Sequence, residues 1–74
     1  MKEILINEGF VKTGGCKCNG GAEFYGIAIR PRYRIDWYYK SNFVVLKYNN
    51  QQIRKGLESE INSIIQQVKD DIHP

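Results

Sequence analysis

"RYRIDWYYKSNFVVLKY", residues 32–48, decides how this chain folds. It alternates in hydropathy, breaks at Ser41-Asn42, and alternates again, the pattern of two half-buried strands joined by a turn. With Ser41-Asn42 as a two-residue turn, Tyr39 faces Val44, Trp37 faces Leu46 and Ile35 faces Tyr48. On the other side Asp36 faces Lys47 and Tyr38 faces Val45. All but one of the large apolar pairs thus collect on one face and an opposite-charge pair falls on the other, as cross-strand stabilisation requires. As a solvent-exposed pair, Asp36 and Lys47 would contribute only ~0.2–1 kcal/mol.

The same parity extends the sheet toward the N-terminus. "EFYGIAIR", residues 23–30, reads as a strand ended by Pro31, which cannot donate to a ladder. A three-residue loop of Pro31, Arg32 and Tyr33 pairs Ile29 with Ile35, Ile27 with Trp37 and Tyr25 with Tyr39. A two-residue loop would send Ile27 and Ile29 to the charged face, so burial favours the longer one. Before it, "TGGCKCNGGA", residues 13–22, holds two Gly pairs and almost nothing apolar, and reads as a loop. Residues 4–6 and 10–12 flank Asn7-Glu8-Gly9. The preferred reading is a hairpin with Gly9 in its bulge; the alternative is one short helix stopped by Gly9 at its C′ position.

Toward the C-terminus, "LESEINSIIQQVKDDI", residues 57–72, is the strongest helix signal. Leu57, Ile61, Ile64, Ile65, Val68 and Ile72 recur at spacings of three and four. Residues 51–56 stay open: Ile53 continues the helix stripe, but Gly56 disfavours a helix, and Asn49-Asn50 could instead turn a last strand that sets Ile53 opposite Leu46. The expectation is an α+β fold in one domain, residues 1–74. A small antiparallel meander of three core strands, with short additions at its edges, packs one face on a single C-terminal helix.

Bulk properties set limits on function. The chain has 74 residues, a net charge of +3, five Tyr, three Phe and one Trp. So short a chain gains much of its core from aromatics, and its mild basic bias suits nucleic acid without requiring it. Two cysteines are too few for a disulfide scaffold. An apolar N-terminal run of three residues is too short for a signal peptide, and no stretch approaches a membrane span. The expected setting is therefore cytoplasmic and reduced. Cys16-Lys17-Cys18 supplies half of a zinc site, but a closed site needs four ligands and the only histidine is His73. The two cysteines are expected to be unbonded loop thiols, with a Cys₄ site across a dimer as the alternative. No catalytic set, cofactor or small-molecule substrate is expected.

The free sheet face carries the functional expectation. It gathers Arg30, Arg34, Lys40 and Lys47 with Phe24, Tyr38, Phe43, Val45 and Asp36. Cations neutralise phosphates and aromatics stack on bases. The candidate nucleic-acid-binding residues are Arg30, Arg32, Arg34, Tyr38, Lys40 and Lys47, with DNA or RNA as partner. The competing reading is a protein-interaction or assembly module, including a homodimer, because Phe24, Phe43 and Val45 make the face more apolar than solvation needs. A third reading is a face that only keeps the protein soluble.

A meander with Arg30, Arg34, Lys40, Lys47 and Tyr38 on its free face and a helix behind resembles the arm-DNA-binding domains of tyrosine-recombinase integrases, and plant AP2-type domains. The likeness covers residues 23–72, lies in element order, and departs at Asp36 and Val45. It implies DNA contact through the sheet. "GF…CKC…", the aromatic strand pair and "NNQQIRKG" before a short helix together resemble small uncharacterised phage and mobile-element proteins. That likeness implies an accessory, regulatory or virion-associated role.

Overall fold

The computed structural model describes residues 1–17 and 20–71. Helix α1 (Lys2–Asn7) is followed by strands β1 (Val11–Cys16), β2 (Ala22–Gly26), β3 (Tyr33–Tyr38), β4 (Phe43–Tyr48) and β5 (Gln51–Leu57), a 3₁₀ turn (Glu58–Glu60) and helix α2 (Ile61–Lys69). The strands form one antiparallel sheet in the order β1-β2-β3-β4-β5. The fold is α+β as expected, with a sheet of five strands where the sequence indicated three core strands.

Alternation set the faces correctly, while the turns set the registers. In the β3–β4 hairpin the closing pair is Tyr38 and Phe43, so the turn has four residues, 39–42, with Asn42 at φ 58°. Ile35 therefore faces Leu46, Trp37 faces Val44 and Asp36 faces Val45, a slip of two residues from the two-residue turn. A slip of two preserves the side-chain parity, so the apolar set stays together. The β2–β3 connection is also longer than expected. Two successive turns, Arg30 N to Ile27 O and Tyr33 N to Arg30 O at 3.1 Å each, carry the chain from β2 to β3, and Tyr25 pairs with Ile35 rather than Tyr39. Both lengthened turns expel an apolar residue assigned to the core: Ile29 is 64% exposed and Tyr39 is 38% exposed.

Three segments depart from the preferred reading. Residues 2–7 are helical, not a hairpin strand. Gly9, at φ 95°, donates to Ile6 O, and Phe10 N donates to Leu5 O, both at 3.0 Å. This is a Schellman stop, and its apolar contact is made by Leu5 and Phe10, both in the core. Residues 13–16 belong to edge strand β1, not to a loop. Their glycines give no periodic signal, yet their backbone pairs with the free edge of β2, with a bulge between Lys12 and Gly14. Leu57 ends β5 and is exposed, so α2 begins at Ile61, not at residue 57. Glu60 accepts the Leu57 N–H at 2.9 Å and holds this junction. Ile72 lies outside the described residues.

Residues 51–56 resolve as strand. Asn49 and Asn50 have φ of 52° and 66°, the signature of a type I′ turn. Ile53 sits in a bulge between Lys47–Gln52 and Leu46–Arg54 and packs half-buried on the core. On α2, Ile61, Ile64, Ile65 and Val68 are all buried. They close one face of the sheet over Tyr25, Ile35, Val44 and Leu46. Arg54 ties β5 to the helix through Gln67 Oε1 (2.9 Å) and Ser63 Oγ (3.2 Å). Glu8 and Lys69 pair the ends of the two helices.

The second Gly pair fixes the β3–β4 turn from outside the sheet. Gly21 has φ 114°, and a Cβ there would collide with the Tyr39 hydroxyl. Gly21→Ala is expected to cost about 1–3 kcal/mol through the positive φ and the displaced ring, read as a lower urea midpoint with an unchanged m-value. An unchanged midpoint would mean that residues 20–21 do not hold this geometry.

Candidate nucleic-acid interface

The sheet face away from α2 is organised around one buried carboxylate. Asp36, in the centre of β3, is 1% exposed. Arg34 grips it two-pronged, with Nε to Oδ1 at 2.6 Å and Nη2 to Oδ2 at 3.0 Å, and Lys47 Nζ lies 3.6 Å from Oδ2. Arg34 and Lys47 are cross-strand partners, which brings both cations to the same carboxylate. The opposite-charge pair read from sequence is therefore a triad. Asp36 faces Val45 directly and reaches Lys47 diagonally, and the carboxylate is buried where an exposed pair was expected.

Aromatic rings complete this face, and cations sit over Phe24 and Phe43. The Arg34 guanidinium lies 4.4 Å from the Phe24 ring centroid. Tyr38 and Phe43 stack at 4.6 Å, and Lys55 Nζ sits 4.5 Å from the Phe43 centroid. Cation–π contacts of this kind fix the side chains. They also occupy ring surface that a stacked base would need. Val45 is buried beneath them.

The six candidate residues separate into two groups. Tyr38 and the exposed Lys40 stand at the β3–β4 turn. Arg34 and Lys47 lie toward the opposite end, near the β2–β3 connection that carries Arg30 and Arg32. Arg30 does not stand on the free face. Its Nη2 donates to Lys69 O at 3.0 Å, so it caps the C-terminal end of α2, where the helix dipole favours a cation. Arg32 is exposed and forms no ion pair among the described residues.

Arg32 is a wall shared by two concavities. One, of about 280 Å³ on the helix side, is lined by Arg30, Arg32, Tyr33, Tyr48 and Asp71 with Ile29 and Pro31. Burial first, and then the bond to Asp71, pushes the Tyr33 hydroxyl up to about 12, so it remains a neutral donor at 3.0 Å from Asp71 Oδ1. The other, of about 310 Å³ on the free-face side, is lined by Thr13, Gly26, Pro31, Arg32, Tyr33, Arg34, Asn49 and Asn50. Its lining includes two arginines and no acidic residue, and the Arg34 guanidinium is itself paired with Asp36. Asn49 N donates to Arg32 O at 2.9 Å, locking the two turns that frame it. Sequence reading missed Thr13, Asn49 and Asn50 as site residues. The Asn-Asn dipeptide was visible only as a turn signal, and nothing in the sequence showed that its turn meets the Arg32 loop.

Cys16, the last residue of β1, is disulfide-bonded, which corrects the expectation of unbonded, reduced loop thiols; its place in a ladder opposite Ala22 holds it in ordered structure. Cys18 and His73 lie outside the described residues. Among the described residues no group of three or more His, Cys, Asp or Glu side chains could hold a metal ion. No helix among them is long and apolar enough to cross a membrane. Comparison with protein-family models, with curated proteins and with solved structures found no match to this chain.

Proposed function

We propose that this chain is a non-enzymatic module that binds nucleic acid, and that its phosphate contacts centre on Arg32 at the end of the sheet where the β2–β3 connection meets the β4–β5 turn. One observation carries the reading: a concavity whose lining holds the exposed Arg32, unpaired among the described residues, beside Arg34 and no acidic residue. Arg34 and Lys47 share the charge of Asp36, so the middle of the face offers less net attraction than its count of cations implies. Arg32, exposed and unpaired among the described residues, offers a full charge. Tyr38 and Lys40, at the far end, serve as outer contacts to a longer strand.

Arg32→Ala is expected to weaken binding to any sequence. It should lower the salt slope by roughly 0.7 per lost contact on single strands, or 0.9 on duplex. The melting temperature should hold, because Arg32 is exposed. Fluorescence anisotropy across several salt concentrations measures this. Wild-type protein with no affinity at low salt would overturn the reading. A protein-interaction role would then lead, favoured by Leu57, 59% exposed beside the Phe43–Tyr38 stack. Light scattering would test its homodimeric form.

A further inference from the structure

The asparagines of the β4–β5 turn do more than the turn requires. A type I′ turn needs two residues that tolerate positive φ, and Gly meets that need as well as Asn. Asn49 and Asn50 both line the free-face concavity, and each carries a carboxamide. Both residues are exposed, and neither side chain is hydrogen-bonded among the described residues. A carboxamide offers donors and an acceptor together, the complement of a base edge. Opposite them, Arg34 is held in place. Its Nε and Nη2 are committed to Asp36 and its plane lies on Phe24, while Nη1 makes no hydrogen bond among the described residues. Gly26, also in the lining, adds no side chain.

Shape decides what can enter. Readers of duplex DNA present a convex element, a helix or a strand ribbon, to a groove. Here Arg32, Arg34, Asn49 and Asn50 line an open concavity of about 310 Å³ between two turns, at the lower end of the volumes that hold small ligands. A base still stacked and paired in a duplex cannot reach its wall, whereas an unpaired base can be splayed into it, as in the recognition of single strands. Resting on the nucleic-acid reading above, we infer that this concavity accepts one unpaired nucleotide. Its phosphate lies on Arg32, Arg34 forms the fixed wall, and the base edge meets the carboxamides of Asn49 and Asn50. The domain then prefers single-stranded nucleic acid to duplex.

The test uses the full chain and fluorescein-labelled oligonucleotides of mixed sequence, in single-stranded form and as the matching duplex, in DNA and in RNA. Wild type should bind the single strand on the order of tenfold more tightly than the duplex, the worth of one base-edge contact. Asn49→Gly combined with Asn50→Gly keeps the turn and removes both carboxamides. It should erase that preference while the melting temperature and the salt slope stay as in wild type. Equal or tighter duplex binding by wild type overturns the inference and leaves the nucleic-acid reading standing. So does a glycine variant that keeps the full single-strand preference. Absence of binding to every oligonucleotide at low salt overturns both.

Discussion

Replacing Arg34 and Lys47 together by alanine is expected to destabilise the domain by about 3–5 kcal/mol, the cost of stranding a buried charge. Asp36 is 1% exposed and its described ionic partners are these two cations. Without them the carboxylate loses both ionic partners at a position that the native packing keeps from water. A domain of 74 residues has little more than that in reserve, so much of the double variant should be unfolded at room temperature. Read as an exposed cross-strand pair, the same substitutions would have passed almost unnoticed. Burial of Asp36 reverses that expectation. A triple variant, Arg34→Met, Asp36→Leu and Lys47→Met, removes charge and partners at once and should recover most of the loss, because a buried ion cluster is seldom more stable than an apolar one of similar volume. Urea unfolding followed by circular dichroism measures both. A double variant with a wild-type midpoint would show that Asp36 is solvated.

Leu46→Ala is the second large loss. Leu46 stands mid-strand in β4, opposite Ile35, and belongs to the cluster that includes Ile64 of α2. All three are 0% exposed. Truncation opens a cavity between sheet and helix, and Leu→Ala at such sites costs about 2–5 kcal/mol. Leu57→Ala is the internal control: Leu57 is 59% exposed, so its removal should move the urea midpoint little. If the two variants melt alike, the face closed by α2 has been misassigned.

The contrast between Leu46 and Leu57 shows what the sequence could tell and where it stopped. Strand parity was legible because side chains alternate with period two, so Ile35, Val44 and Leu46 declared their face without any knowledge of register. Registers were not legible. They depend on turns of four and six residues at 39–42 and 27–32, and the residues there carry no signal for turn length; Tyr39 and Ile29 fell on the wrong side for that reason. β1 was hidden because Gly14 and Gly15 have no side chains to alternate, and the neighbouring edge of β2 supplies its order. The start of α2 was blurred because Leu57 continues the helical spacing by coincidence while its backbone finishes β5. At the candidate site, Arg32, Arg34 and Lys47 were legible as cations. The burial of Asp36 was not, since a lone aspartate amid basic residues looks the same in a sequence whether it is wet or dry. Arg30 was assigned to the free face by a register that the longer connection cancels, and it serves the end of α2 instead.

The central claim, that the Arg32 end of the sheet binds nucleic acid, is tested most directly by a two-dimensional ¹⁵N NMR titration of the intact chain with a single-stranded oligonucleotide at low salt. The amides of Arg32, Arg34, Asn49 and Asn50 should shift most, with those of Lys55 and Leu57 nearly still, and the shifts should retreat as salt is added. A spectrum unchanged by excess oligonucleotide, or one whose shifts centre on Phe43, Lys55 and Leu57, would contradict it.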